Sequence, residues 1–169
     1  TLFRSYAERP AFEVFLKEWS SLYESKAGER GIFNRIAAQD KAAENGRRKP
    51  ADFGTNPCGE ILLRSKGLCN LTEVVVRPED DLKILRRKVE LATILGTFQS
   101  LLTKFNYVRK EWARNAEEER LLGVSLTGIV DHPVFVQMSA EATNILDELK
   151  EFSIDTNKKG ANKLGINQS

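Results

Sequence analysis

Cys58 and Cys69 are the only two thiols in a chain of 169 residues, and they sit eleven positions apart in TNPCGEILLRSKGLCNL, Thr55 to Leu71. Asn56, Cys58 and Glu60 occupy alternate positions, so an extended backbone would project an amide, a thiol and a carboxylate to one side. Such a set has acid/base and hydrogen-bonding capacity: Glu60 can take or return a proton, and Asn56 can orient a hydroxyl. Pro57 fixes its own φ and lacks an amide donor, while Gly59 admits conformations closed to other residues. NPCG is therefore expected to be a tight loop and not a regular strand.

Other chemistries for the two thiols differ in what they need. Zinc ligation wants paired CxxC or Cys/His spacing, and the one histidine, His132, is far from both thiols and reads as a turn residue in VDHPV. A cysteine nucleophile wants a histidine base, which the same distance disfavours. A disulfide closing this loop would contribute about 3 kcal/mol on the chain-entropy model, yet a reducing interior opposes it. Inert buried thiols stay open beside the acid/base reading, because spacing alone goes no further.

The elements that must position this stretch follow from periodicity. After Pro10, Phe12, Phe15, Leu16, Trp19, Leu22 and Tyr23 have helical spacing. A weaker helix is predicted over Ile32 to Asn45, ended by Gly46, and Arg47, Arg48, Lys49 and Pro50 then form a solvated basic loop. LTEVVV, Leu71 to Val76, reads as a strand. Pro78 and the acids after it open a long helix over residues 79–105, with Leu82, Leu85, Val89, Ala92, Leu95, Phe98, Leu102 and Phe105 as its core stripe. A charged helix is predicted from Arg109 to Arg120, a strand with two-residue alternation over residues 122–130, and a helix from Ser139 to Phe152. Strands covered by helices make the fold class α/β, a parallel sheet or part of a barrel, too few strands to close alone. The whole chain reads as one incomplete catalytic-barrel segment, residues 1–169, with its active-site loop at about 53–71.

Composition bounds the partners. With 26 basic and 24 acidic side chains the net charge is +2, so charge gives no reason to expect nucleic acid or a membrane surface. No apolar run nears the length of a membrane span, and a cytoplasmic protein is expected. The chain starts without Met and ends on LGINQS, which reads as a piece of something longer.

NPCGEILL followed by CNL resembles the active-site loop of ribonucleotide reductases, in the form found in their monomeric, adenosylcobalamin-dependent class acting on ribonucleoside triphosphates. GERGIFNR, Gly28 to Arg35, is similar to the segment preceding that loop, and GVSLTGI, Gly123 to Ile129, to a later barrel strand. The resemblance implies a ten-stranded α/β barrel with the NPCGE loop threaded into its centre. It makes Cys58 the thiyl-radical carrier that takes the substrate's 3′ hydrogen, Glu60 the acceptor of the 3′ hydroxyl proton, and Asn56 the amide holding both, with Pro57 and Gly59 lining the substrate. Cys69 becomes one of two redox-active cysteines that supply electrons as the 2′ hydroxyl leaves. Adenosylcobalamin is the implied cofactor and a thioredoxin-type dithiol the implied reductant.

The partner of Cys69, the phosphate-binding region and the shuttle cysteines are missing from the 169 residues. The resemblance therefore implies a central portion that needs the remaining parts of the enzyme and is inactive alone. A reductase with another radical source, or a noncatalytic remnant that binds a partner chain, are the alternatives.

Overall fold

A computed structural model describes residues 3–6, 9–28, 31–44 and 46–169, with nothing stated of the side chains of 3–6. Glu29 and Arg30 of GERGIFNR, and Asn45 at the end of the predicted second helix, lie outside the described residues. The chain divides into two compact units, Thr1–Lys66 and Gly67–Ser169.

In the first unit, strand β1 (Phe3–Tyr6) pairs in parallel with β2 (Gly31–Asn34). Between them runs helix α1 (Phe12–Ser25), as its spacing predicts, but no residue of it is buried. Helix α2 (Arg35–Ala43) starts later than Ile32, because Asn34 serves as its N-cap and accepts a hydrogen bond from the Ala37 amide at 3.0 Å. GIFN ahead of that cap is strand. A short antiparallel hairpin follows, β3 (Phe53–Thr55) against β4 (Leu62–Arg64), with Phe53 paired to Arg64 and Thr55 to Leu62. Neither three-residue strand is long enough to show a period in the sequence.

The second unit is a strand–helix–strand arrangement. Strand β5 (Asn70–Val75) pairs in parallel with β6 (Leu122–Thr127), and the connection carries α3 (Leu82–Gln99) and α4 (Lys110–Glu119). Parallel neighbours require such a crossover, and helix cover is what makes their apolar strands stable. Val74, Val76, Leu85, Val89, Ala92 and Phe135 form the core with Ala142 and Leu149 of α5 (Ala140–Leu164). The mixture of helices and small sheets is compatible with an α/β class, and no described helix is long and apolar enough to cross a membrane.

Boundaries of α3, α5 and β6 also differ from the sequence expectation, some for local reasons and some through contacts between elements. Helix α3 starts at Leu82, since the Asp81 carboxylate caps it by accepting from Ile84 N at 2.7 Å, and Pro78 stands in the turn before. It stops at Gln99 and not at Phe105, where Ser100 turns its hydroxyl onto Thr97 O at 2.7 Å and the Arg120 guanidinium takes the Ser100 carbonyl. Its buried face is Leu85, Val89, Ala92, Thr93, Gly96 and Thr97, so Leu95, Phe98 and Leu102 of the expected stripe are exposed. The small side chains let α3 lie close to its neighbours: a Cβ on Gly96 would stand 3.1 Å from Leu122 Cδ2. Helix α5 begins as expected, with Ser139 Oγ accepting from Ala142 N, but continues twelve residues past Phe152 by burying Asn157 and Ala161.

Strand β6 ends at Thr127 and not at Val130, because Gly128 has φ +76° and leads into a 3-10 turn, Ile129–Asp131. A Cβ there would sit 2.6 Å from the Val76 carbonyl oxygen. Backbone cannot yield as a flexible side chain would, so Gly128→Ala is expected to destabilise the second unit by about 2 kcal/mol. Thermal unfolding of the two proteins measures this.

Candidate functional site

The NPCG stretch is the turn of the β3–β4 hairpin. The Gly59 amide donates to Asn56 O at 3.1 Å, closing a four-residue turn with Pro57 and Cys58 at its centre and Gly59 at φ +87°. Pro57 at the first central position has its φ preset for such a turn. The sequence expectation of a tight loop is thus met, and the extended backbone that would align three side chains is not.

The turn nevertheless joins two of them. Asn56 Nδ2 donates to Glu60 Oε1 at 2.5 Å, and Asn56 Oδ1 accepts from the Ile61 amide at 3.1 Å. The side chain of Asn56 therefore spans the base of the turn with its amide orientation fixed from both ends, because a carboxylate only accepts and an N–H only donates. Cys58 stands at the exposed tip. Glu60 is exposed as well, so its carboxylate is open to an incoming hydroxyl while Oε1 is held by Asn56.

Phe53 and Arg48, the second read from the sequence as part of a solvated loop, hold this hairpin. Phe53 is 2% exposed, and the Arg48 guanidinium lies 4.6 Å over its ring while donating to Leu62 O at 2.9 Å. Arg48 is thus a clamp on both strands and not a member of a merely solvated basic loop. Arg35 pairs with Asp52 at 2.9 Å just before β3. A basic residue set between a helix and an aromatic, Phe53, five residues earlier than the thiol was the available signal, but its use as a clamp depends on tertiary geometry.

Cys69 lies in the second unit, immediately before β5. It is half-buried, and its Sγ is 3.8 Å from the Asn70 carbonyl. Asn70 is tied twice to Leu121 O, by its amide at 2.9 Å and by Nδ2 at 3.1 Å. Opposite the thiol is Gly123 of β6, on which a Cβ would fall 3.5 Å from Cys69 Sγ. Gly123 thus leaves room for the Leu71 side chain, 2.6 Å from the same Cβ position, and for the thiol beside it.

The second unit also contains a buried polar cluster. Asp80 accepts from Lys88 Nζ at 2.5 Å and from the Arg77 amide at 2.8 Å, and Lys88 also donates to Val75 O at 2.9 Å. Burial pushes the Asp80 carboxyl up, but the hydrogen bonds from Lys88 and the Arg77 amide, with the charge of Lys88, outweigh it and hold the group below its ordinary range. His132 is buried, with Nε2 2.9 Å from the Asp80 carbonyl and Nδ1 accepting from the Val134 amide. The carbonyl needs a donor and the amide an acceptor, so both nitrogens are satisfied by the neutral ring protonated at Nε2. His132 is a tie between two loops at the ends of the parallel strands, more than the turn residue its sequence context implied. Among the described residues no three His, Cys, Asp or Glu side chains gather as a metal site.

No family model matches the chain, and no solved structure matches it. A curated protein from Lacticaseibacillus paracasei, an adenosylcobalamin-dependent ribonucleoside-triphosphate reductase, is 35% identical to it over 117 residues, which cover 63% of this chain. The match takes in 15% of that relative's length, and within that limit its name points to ribonucleotide reduction.

Proposed function

We propose that this chain carries the radical-bearing turn and one reducing thiol of a ribonucleotide reductase that converts ribonucleoside triphosphates to 2′-deoxyribonucleoside triphosphates. The observation that carries this reading is the Asn56–Glu60 hydrogen bond at the base of a turn whose tip presents Cys58. The similarity to the L. paracasei reductase supports it from a second side. In the whole enzyme the turn would sit inside a ten-stranded α/β barrel, of which β5 and β6 would be two strands.

Once Cys58 has lost its hydrogen atom, its sulfur takes the 3′ hydrogen of the substrate. Glu60, steered by Asn56, accepts the 3′ hydroxyl proton, and Pro57 and Gly59 shape the backbone against the sugar. The 2′ hydroxyl leaves as water while Cys69 and a second thiol give up two electrons and two hydrogens and become a disulfide; Cys58 then returns the 3′ hydrogen. The net change is one ribonucleotide and two thiols to one deoxyribonucleotide, one water and one disulfide. Both cysteines of this chain are then assigned, so the second thiol comes from residues outside these 169. An external dithiol of the thioredoxin type restores the pair by exchange.

Adenosylcobalamin, when bound, supplies the oxidising equivalent that Cys58 needs, since no side chain makes a thiyl radical unaided. Its holding is assigned to other parts of the enzyme.

The test completes the chain by fusion to the flanking segments of the L. paracasei reductase and assays deoxynucleotide formation. Product that requires both adenosylcobalamin and a dithiol is the expected result. Product formed only with a separate metal-containing radical subunit would reassign the radical source, and a folded fusion that makes no product with either would leave the chain a noncatalytic remnant.

A further inference from the structure

A line of hydrogen bonds, buried between α3 and α5 and half-buried beyond them, crosses the second unit and ends at the amino end of β6. It starts inside α3, where Thr93 Oγ1 donates to Val89 O and Thr97 Oγ1 to Thr93 O. Thr97 Oγ1 then accepts from Asn157 Nδ2 of α5 at 3.0 Å. Asn157 Oδ1 accepts from the Ser169 amide at 2.8 Å, and Ser169 Oγ accepts from the Leu122 amide, the first of β6, at 2.8 Å. Leu122 is the register partner of Asn70, and the next pair is Gly123 with Leu71; a Cβ on Gly123 would stand 2.6 Å from Leu71 Cδ2 and 3.5 Å from Cys69 Sγ, the residue just before the ladder.

The line accounts for polar groups that would otherwise be costly. Asn157 is 6% exposed and Thr97 2%, so each needs its partner. Gly160 lies against the same threonine, where a Cβ would make ordinary contact with Thr97 Cγ2 at 3.4 Å. Residues 166–169 leave α5 as a strap. Its Asn167 Nδ2 donates to the Glu118 carbonyl at the end of α4 at 3.1 Å, and Ile166 N donates to Ala161 O. The strap thereby fixes the residues that lead into β6 from both sides.

We propose that Asn157 is a positioning residue for the Cys69 thiol, acting through Ser169 on the amino end of β6. Holding Leu122 fixes the Gly123 backbone, whose missing side chain leaves room for Leu71 Cδ2 and, beside it, for the half-buried Cys69 thiol. The redox role of Cys69 rests on the function proposed above; its seating does not.

The test reads the thiol directly in the 169-residue chain. In a Cys58→Ala background, where Cys69 is the single thiol, its rate of alkylation by iodoacetamide is measured for Asn157→Ala and Ser169→Ala, with Ser169→Thr as the conservative replacement. Leu149→Ala is the control, because Leu149 is a buried core side chain away from the line. Loss of a buried hydrogen bond predicts alkylation faster by roughly fivefold in the two alanine variants, near the unsubstituted rate in Ser169→Thr, and within about twofold of it in Leu149→Ala. Unchanged rates in both alanine variants, or an equal rise in Leu149→Ala, would overturn the proposal. Should Asn157→Ala fail to fold, Ser169→Ala decides, since it removes one oxygen from a terminal strap. The readout needs no turnover, so its failure is distinct from a failure of the reductase reading.

Discussion

Cys58→Ala in the completed enzyme is expected to reduce deoxynucleotide formation to background while leaving the fold intact. The side chain lies at the exposed tip of the turn, with no packing to lose, and the backbone hydrogen bond from Gly59 N to Asn56 O does not involve its sulfur. Alanine removes the only atom on the turn that can carry a radical. Glu60→Gln sets the scale of the acid/base contribution, with an expected fall in kcat of about 10²- to 10⁴-fold. The amide is isosteric and still accepts from Asn56, so the substrate stays oriented and KM changes little; what is lost is the proton acceptor. Retained activity in Cys58→Ala would remove the radical assignment, whereas an unchanged Glu60→Gln would remove only the base.

Lys88→Met is expected to cost the second unit about 3 kcal/mol, the lower end for breaking a buried ion pair because Lys88 is itself about a third exposed. It leaves the Asp80 carboxylate, 5% exposed, without its lysine and held by the Arg77 amide, and strips Val75 O of its lysine partner. The pH dependence gives the sign. A carboxyl whose folded pKa lies below its unfolded value stabilises the fold above that unfolded value, near 3.8, and the stabilisation is lost as pH falls through the lower folded pKa. The unsubstituted chain should therefore lose stability on acidification below about pH 4, and Lys88→Met should lose less over the same interval. Denaturant titrations at several pH values measure both slopes, and equal slopes would show that Lys88 does not hold the carboxyl down.

How far this was legible in the sequence depends on whether a residue acts locally. Pro57 and Gly59 dictate a tight turn by their own backbone preferences, and Ser139 caps a helix through a bond three residues on, so both could be read. Leu71 to Val76 and Leu122 to Thr127 announce strands by branching and alternation. What could not be read are the places where one element answers to another. Leu95, Phe98 and Leu102 have the spacing of a core stripe, yet Thr93, Gly96 and Thr97 are buried instead, because close approach to β6 and α5 selects small residues. The same approach carries α5 past Phe152. At the site, the Asn56–Glu60 pairing spans four residues and lies within reach of pattern reading, whereas the Arg48 clamp and the seat of Cys69 depend on residues 14 and 54 positions away.

The parallel pairing of β5 with β6 joins positions 52 apart, Asn70 with Leu122, and so sets a waiting time. At roughly 5 to 20 residues per second of synthesis, β5 leaves the ribosome about 3 to 10 s before its partner exists. Closure of so long a loop, with α3 and α4 inside it, places this unit among slow, non-local folders. During that interval Leu71 and Val75, exposed even in the finished unit, stand beside an unpaired strand edge. Yield of this chain in a cell is then set by how fast the nascent edge is covered, and slower translation across residues 76–121 would lengthen the exposure.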